Sequence, residues 1–236
     1  MLINLLSGPR NISTAMMYSF AQRKDTYVVD EPLYAHFLKL SHAAHPGRDA
    51  ILAAQENSGD KVIENLMLLS TLHPFVFVKH MTHHLVHVDW HFMLRSKNIL
   101  LLRAPEKVLL SYSKIIAEPA IEDIGIKQSF DLYNYLQGNN AHFIILDSDD
   151  ILKAPETMLQ KICASCAMPF DKNMLQWEAG AIAEDGVWAK YWYKNVHSST
   201  GFGAYTETDI HLPEKLQPIN NEANYYYKIL LQHALK

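Results

Sequence analysis

The segment Leu2-Ile3-Asn4-Leu5-Leu6-Ser7-Gly8-Pro9-Arg10-Asn11-Ile12-Ser13-Thr14 decides the fold. Residues 2–6 form a nearly continuous apolar run, the pattern of a strand covered on both faces. Gly8 and Pro9 turn the chain, and Met16, Met17 and Phe20 follow at the spacing of a helix's buried face. A loop between strand and helix has a chemical consequence. The helix start offers unpaired N–H groups and the positive end of a dipole, so an anion fits there. Arg10 adds a fixed charge, and Ser13 and Thr14 add hydroxyl donors. A Walker A loop would carry Gly-Lys where Ser13-Thr14 stand, and without that lysine ATP or GTP hydrolysis is disfavoured. Read alone, the loop favours an anion site by only about two to one over a tight turn into a capped helix with Arg10 solvated.

Outward from this unit, short apolar runs alternate with helical patterns, the signature of βαβ units and a parallel sheet. Strands are expected at 27–29, 75–79, 99–102 and 143–146, and helices over 49–72, 106–117, 155–167 and 222–235. The fold class is therefore α/β: a three-layer, P-loop-NTPase-like domain with a mainly parallel five-stranded sheet. A single domain over 1–236 is expected, with a nucleotide-binding core at 1–170 and an aromatic-rich C-terminal cover at 171–236.

Of 236 residues, 49% are hydrophobic, enough for a large core and against global disorder. The net charge of −4 lacks the basic surplus of a nucleic-acid binder, so no nucleic-acid partner is expected. The longest apolar stretch, 66–78, is broken by His73 and Pro74 and is too short for a bilayer, so no membrane partner is expected either. The N-terminus lacks a basic n-region. Cys163 and Cys166 share helical spacing with Leu159 and Ile162, which reads as core packing of reduced thiols. A cytoplasmic location follows as the expectation.

The strand at 99–102 ends in Arg103, and Ser111 follows eight residues later on the next helix. In an open parallel sheet ligands bind beyond the carboxyl ends of the strands, where Arg10 and Arg103 would both project. Two arginines there suit a ligand with two separated anionic groups.

This pair of segments resembles the sulfotransferase superfamily, most closely bacterial proteins carrying Ser-Gly-Pro-Arg-Asn (7–11) and Asp-Glu-Pro-Leu-Tyr (30–34). The acidic stretch 147–152 is similar to the family's segment after the fifth strand. The resemblance implies that Gly8, Pro9, Arg10, Asn11, Ile12, Ser13 and Thr14 hold the 5′-phosphosulfate of 3′-phosphoadenosine 5′-phosphosulfate (PAPS), and that Arg103 and Ser111 hold its 3′-phosphate. It implies sulfuryl transfer from PAPS to a hydroxyl or amine of a small-molecule acceptor, with Arg10 stabilising the leaving oxygen and no metal required. The family's loop glycine is Ile12 here, which keeps open a catalytically silent nucleotide-binding protein. A P-loop small-molecule kinase is the other alternative. The acceptor and the oligomeric state are left open at this level.

Two residues compete as general base. Glu31 follows the second strand on the same sheet edge as Arg10; His80 closes the third strand. His80, His84, His87 and His91 share helical spacing beside His83, without the carboxylates of a metalloprotease motif, and read as the border of a cleft rather than a metal site. Titrating near neutrality, these histidines would favour an acidic acceptor as pH falls. Late in the chain Trp177, Trp188, Tyr191, Trp192 and Tyr193 precede a Gly-containing loop, fitting either a lid or a sheet cover, with Lys190 and Lys194 as further phosphate contacts.

Overall fold

A computed structural model describes residues 1–114, 116, 118–207 and 210–236. Five parallel strands, β1 (Leu2–Ser7), β2 (Thr26–Asp30), β3 (Phe75–Met81), β4 (Lys97–Leu102) and β5 (Phe143–Asp147), form one sheet in the order β2-β3-β1-β4-β5. Because side chains alternate across a strand, each strand feeds two cores. Ile3, Leu5, Phe77 and Leu101 pack on one face with α1 (Ser13–Ala21) and α8 (Pro155–Ser165). Leu2, Leu6, Val78 and Leu100 pack on the other with α4 (Gly59–Leu72), α5 (Pro105–Tyr112), α6 (Ile126–Gly138) and α11 (Gln217–Leu231). The result is the expected three-layer α/β architecture. Short helices α2 (Tyr34–Ser41), α3 (Arg48–Ala54), α7 (Ser148–Lys153), α9 (Ala189–Trp192) and α10 (Lys194–His197) complete the set.

The expected strands fall on the observed ones, each extended by one or two residues. The helices differ more. The helical region expected over 49–72 breaks at Gln55, whose backbone is extended, and divides into α3 and α4. The helix expected over 106–117 is α5, ending at Tyr112; Ala117 lies outside the described residues. The histidine stripe is not one helix. β3 runs through His80 to Met81, a single 3₁₀ turn covers Thr82–His84, and His87 takes a positive φ of 50° before a second 3₁₀ turn at Trp90–Arg95.

One buried polar pair fixes the register of the two strands that carry the arginines. Asn4 on β1 donates to the side-chain oxygen of Asn98, its partner on β4, at 2.9 Å, and the Asn98 amide donates to the carbonyls of Met93 and His142. A one-residue slip would bury these amides unpaired, and each unsatisfied group costs roughly 1–3 kcal/mol.

Candidate functional site

Beyond the carboxyl ends of the strands lies a cavity of about 460 Å³. Strand order explains its position. The connection from β1 runs toward β2, and that from β4 toward β5, so the sheet opens between β1 and β4 at a topological switch point. Arg10, in the loop after β1, and Arg103, just past β4, flank that opening.

Arg10 Nε donates to Ser111 Oγ at 2.9 Å, and an Arg103 guanidinium nitrogen donates to the Arg10 carbonyl. Asn11 ties the loop down through a 3.0 Å bond to the Leu101 carbonyl. Burial lowers the pKa of both arginines; for Arg103 the nearby Asp149 and Asp147 oppose that and Arg10 adds to it. Two half-buried guanidinium groups therefore sit together, their hydrogen bonds among the described residues going to neutral oxygens. Beside them α1 begins with no side-chain cap and no acidic residue in its first turn. This donor set fits a ligand with more than one anionic group.

The loop accommodates Ile12 without strain. Its φ of −84° is ordinary for any residue, and its side chain packs against the core. The left-handed residue of the loop is Arg10, at φ 56°. Gly8 serves a different purpose from the rest of the loop. A Cβ there would lie 2.2 Å from the Ile124 carbonyl oxygen, so Gly8 lets the 124–125 backbone approach closely. Pro9 through Thr14 line the cavity; Gly8 does not.

At the far end of the cavity, beyond β2 and β3, lies a buried ionic cluster. Lys79 on β3 donates to Asp30 at 2.9 Å, to the Glu31 carboxylate and to the Tyr193 hydroxyl at 2.6 Å. Tyr193 donates to Asp30 at 2.7 Å and accepts from the Trp188 indole at 3.0 Å. The Lys79 side chain is 1% exposed and that of Glu31 8%. Burial works against the Lys79 ammonium, but Asp30 and Glu31 outweigh it and raise its pKa. Burial likewise pushes the Glu31 carboxyl above the usual carboxylate range, with Asp30 adding to the push and Lys79 opposing it.

Glu31 holds a left-handed backbone, φ 39°, which for a non-glycine residue costs of order 1–3 kcal/mol. Three hydrogen bonds impose it: its N–H donates to Lys79 O at 2.9 Å, while its carbonyl accepts from Tyr34 N and from Gln55 Nε2, both at 3.0 Å. The break between α3 and α4 is what delivers Gln55 to that carbonyl.

His80 lies elsewhere. It shares strand parity with Val78, and so faces the α4 side, its ring 6.3 Å from Phe92. It is 1% exposed, neither ring nitrogen has a partner, and burial drives its pKa down to about 3. Arg10, Glu31, Arg103 and Ser111 thus line one cavity, whereas His80 does not. Lys79, Asp30 and Tyr193 were missed at the sequence level. A lysine ending the apolar run Phe-Val-Phe-Val-Lys was the available signal.

His83 and His84 reach the cavity wall, with His84 stacked between Tyr34 (4.5 Å) and Phe37 (4.8 Å). Of the C-terminal aromatics, Trp192 and Tyr193 line the cavity, Trp177 and Trp188 are core, and Tyr191 is 43% exposed. Lys190 and Lys194 are exposed and off the cavity wall. Both cysteines are in the core. Among the described residues no group of three or more ligating side chains could hold a metal, and no helix is long and apolar enough to cross a membrane.

The family model for the sulfotransferase domain matches residues 1–228. The chain belongs to the sulfotransferase-domain family. Sulfotransferase domains are also its likeness among solved structures. The sulfotransferase domain of the curacin biosynthetic pathway superposes with a TM-score of 0.54 at 16% identity, covering 94% of this chain and 96% of that one. That of a Synechococcus olefin synthase does so with a TM-score of 0.58 at 16% identity, covering 95% and 94%. At such identity the likeness is one of fold. In sequence, the branched-chain-amino-acid aminotransferase-like protein 1 of Arabidopsis thaliana is 37% identical over 233 residues, 98% of this sulfotransferase-family chain but 42% of the relative. Protein 2 of the same name is 37% identical over 203 residues, 86% and 36%. The chain spans about two-fifths of the length of these relatives.

Proposed function

We propose that this chain transfers a sulfuryl group from PAPS to a hydroxyl or amine of a small-molecule acceptor, without a metal. The observation that carries this reading is the pair of half-buried guanidinium groups, Arg10 and Arg103, brought together at the switch point beside an uncapped helix start. Arg10, Ser13, Thr14 and the first N–H groups of α1 bind the 5′-phosphosulfate; Arg103 and Ser111 bind the 3′-phosphate. The donor supplies an activated sulfuryl group whose leaving oxygen is a phosphate. Arg10 neutralises charge on that oxygen, the electrostatic contribution that dominates such transfers. Glu31 takes the acceptor's proton, and its raised pKa makes it a stronger base than an exposed carboxylate. Residues 171–236 act as the cover of the same domain, supplying Trp192 and Tyr193 to the cavity wall.

Ile12 takes an ordinary backbone but its side chain lines the cavity, so a silent nucleotide-binding protein stays as the second reading, and bisphosphate binding without any transfer would favour it. The missing Walker lysine still argues against a kinase.

The test is calorimetric binding of adenosine 3′,5′-bisphosphate beside ATP, in wild type and Arg103→Ala. Micromolar binding of the bisphosphate, weakened at least tenfold (about 1.4 kcal/mol) by the substitution, with ATP binding poorly, is the expected result. No bisphosphate binding sinks the reading.

A further inference from the structure

The acceptor end of the cavity has a charge character of its own. The strands set the two ends apart. From Glu31 beyond β2 to Arg103 beyond β4 is three inter-strand steps, roughly 14 Å at ~4.8 Å per step. Among the described residues lining the cavity, the fixed cations are Arg10, Lys79 and Arg103. Arg10 and Arg103 stand at the β1–β4 end. Lys79, the cation at the other end, is closed on two carboxylates, Asp30 and Glu31. Two carboxylates against one ammonium make that cluster neutral or negative, never positive.

The rest of this end is uncharged. Tyr34, Trp192 and Tyr193 contribute aromatic surface, and Tyr34 donates or accepts a 2.8 Å hydrogen bond with His45. His45, His83 and His84 could in principle supply positive charge. Burial holds all three below the ordinary histidine range, His83 at about 3, with the mutual proximity of His45, His83 and His84 lowering the latter two further. The Nδ1 atoms of His83 and His84 have no partner, and the nearest carboxylate oxygen to His84, on Glu31, is 3.8 Å away. Of the histidines expected to draw an acidic acceptor as pH falls, His83 and His84 reach the cavity wall and burial holds both below the ordinary range, while His80, His87 and His91 do not line the cavity.

We infer that the acceptor compartment selects an uncharged hydroxyl compound with a planar or apolar body, and that the Asp30–Glu31–Lys79 cluster excludes acceptors bearing a carboxylate, phosphate or sulfate. This rests on the sulfotransferase reading. An anionic acceptor brings negative charge beside Glu31, which lines the cavity, with Asp30 buried behind it on the same single ammonium, and like-charge juxtaposition of this kind is a strong basis for rejection. A neutral hydroxyl meets Glu31 as hydrogen-bond acceptor and the aromatic wall as an apolar surface. In the transfer, the acceptor oxygen forms a bond to sulfur as the bond from sulfur to the donor's phosphate oxygen breaks. The hydroxyl proton passes to Glu31 and then to water, leaving a sulfate ester and the bisphosphate.

The test uses size-matched probes that differ in charge. Methyl 4-(hydroxymethyl)benzoate and 4-(hydroxymethyl)benzoate are titrated into the full chain saturated with adenosine 3′,5′-bisphosphate. The ester is expected to bind at least tenfold more tightly than the carboxylate, and the ratio to shrink in Glu31→Gln, which removes one negative charge. Equal or tighter binding of the carboxylate, a ratio unchanged in Glu31→Gln, or no binding of either probe at millimolar concentration overturns the inference. The bisphosphate titration separates the two levels. If the bisphosphate itself does not bind, the donor reading has failed; if it binds and the carboxylate wins, only the acceptor inference has.

Discussion

The two ends of the cavity are built in opposite ways. The β1–β4 end draws its loop from consecutive residues, 9–14, and needs only Arg103 and Ser111 from elsewhere. The β2–β3 end is assembled from Asp30, Glu31, Lys79 and Tyr193, with 163 positions separating Tyr193 from Asp30. The first end is cationic, half-buried and bonded to neutral oxygens; the second is fully buried, ionic and internally paired. A site that grips polyanions needs unneutralised charge and accepts some exposure. A site that moves a proton needs a carboxylate whose pKa is held by its surroundings, and Glu31 is buried except where it meets the cavity.

The largest expected effect separates the two ends directly. Glu31→Gln should lower kcat by about 10²–10⁴-fold, the usual range for losing a general base, while leaving bisphosphate affinity unchanged within about twofold. Because burial raises the Glu31 pKa and the base must be ionised, kcat/KM should rise as pH climbs through a value above the ordinary carboxylate range. That limb should vanish in Glu31→Gln. A parallel loss of bisphosphate affinity would show that the two ends are not independent.

Lys79→Met tests the second end for stability. It leaves two buried carboxylates without their cation, a change expected to cost about 3–5 kcal/mol. Chemical denaturation is the measurement. With the ammonium gone, the Glu31 carboxyl loses the partner that opposes its upward shift, so the loss should be smallest at low pH and grow as pH rises through its unfolded value. Asp30→Asn in the same chain should recover part of it. A cost below about 1 kcal/mol would mean that the cluster is hydrated and that its charge does not shape the acceptor compartment.

How much of this was legible follows from the same contrast. The strands and the phosphate loop were readable because apolar runs and the loop are local patterns. α6 was overlooked although Ile126, Ser129, Leu132, Tyr133 and Leu136 share its buried face; its polar content hid the period. The histidine stripe misled because helical spacing in sequence does not require a helix, and β3 carries straight through His80. The Lys79 cluster could not be read at all beyond an odd lysine in an apolar strand, because the strand pairing that sets Asp30 opposite Lys79 and the docking of Tyr193 onto both are tertiary events.

A smaller effect is expected at the hub of the cluster. Tyr193→Phe removes the hydroxyl that Lys79 and Trp188 donate to and that donates to Asp30, at a cost of roughly 1–3 kcal/mol in stability. The ring remains, so the aromatic wall persists, and ester binding in the bisphosphate complex should change less than stability does.

The smallest effect should be at His80, and it decides between the two bases that the sequence offered. The ring is buried on the α4 side with both nitrogens unpartnered, so it is already a polar group in an apolar site. His80→Leu deletes those unsatisfied atoms and keeps an apolar side chain among Val78, Leu85 and Phe92. Stability should then stay level or rise by up to about 1–2 kcal/mol, since removing an unpaired buried polar group returns its desolvation cost. The rate should stay within about twofold of wild type, with the pH limb of Glu31 intact. An imidazole that burial lowers to about 3 is a weak base, and its ring does not line the cavity where the acceptor would sit. A hundredfold loss of kcat in His80→Leu, at unchanged stability, would transfer the proton-accepting role from Glu31 to β3 and reverse the division of labour between the two faces of that strand.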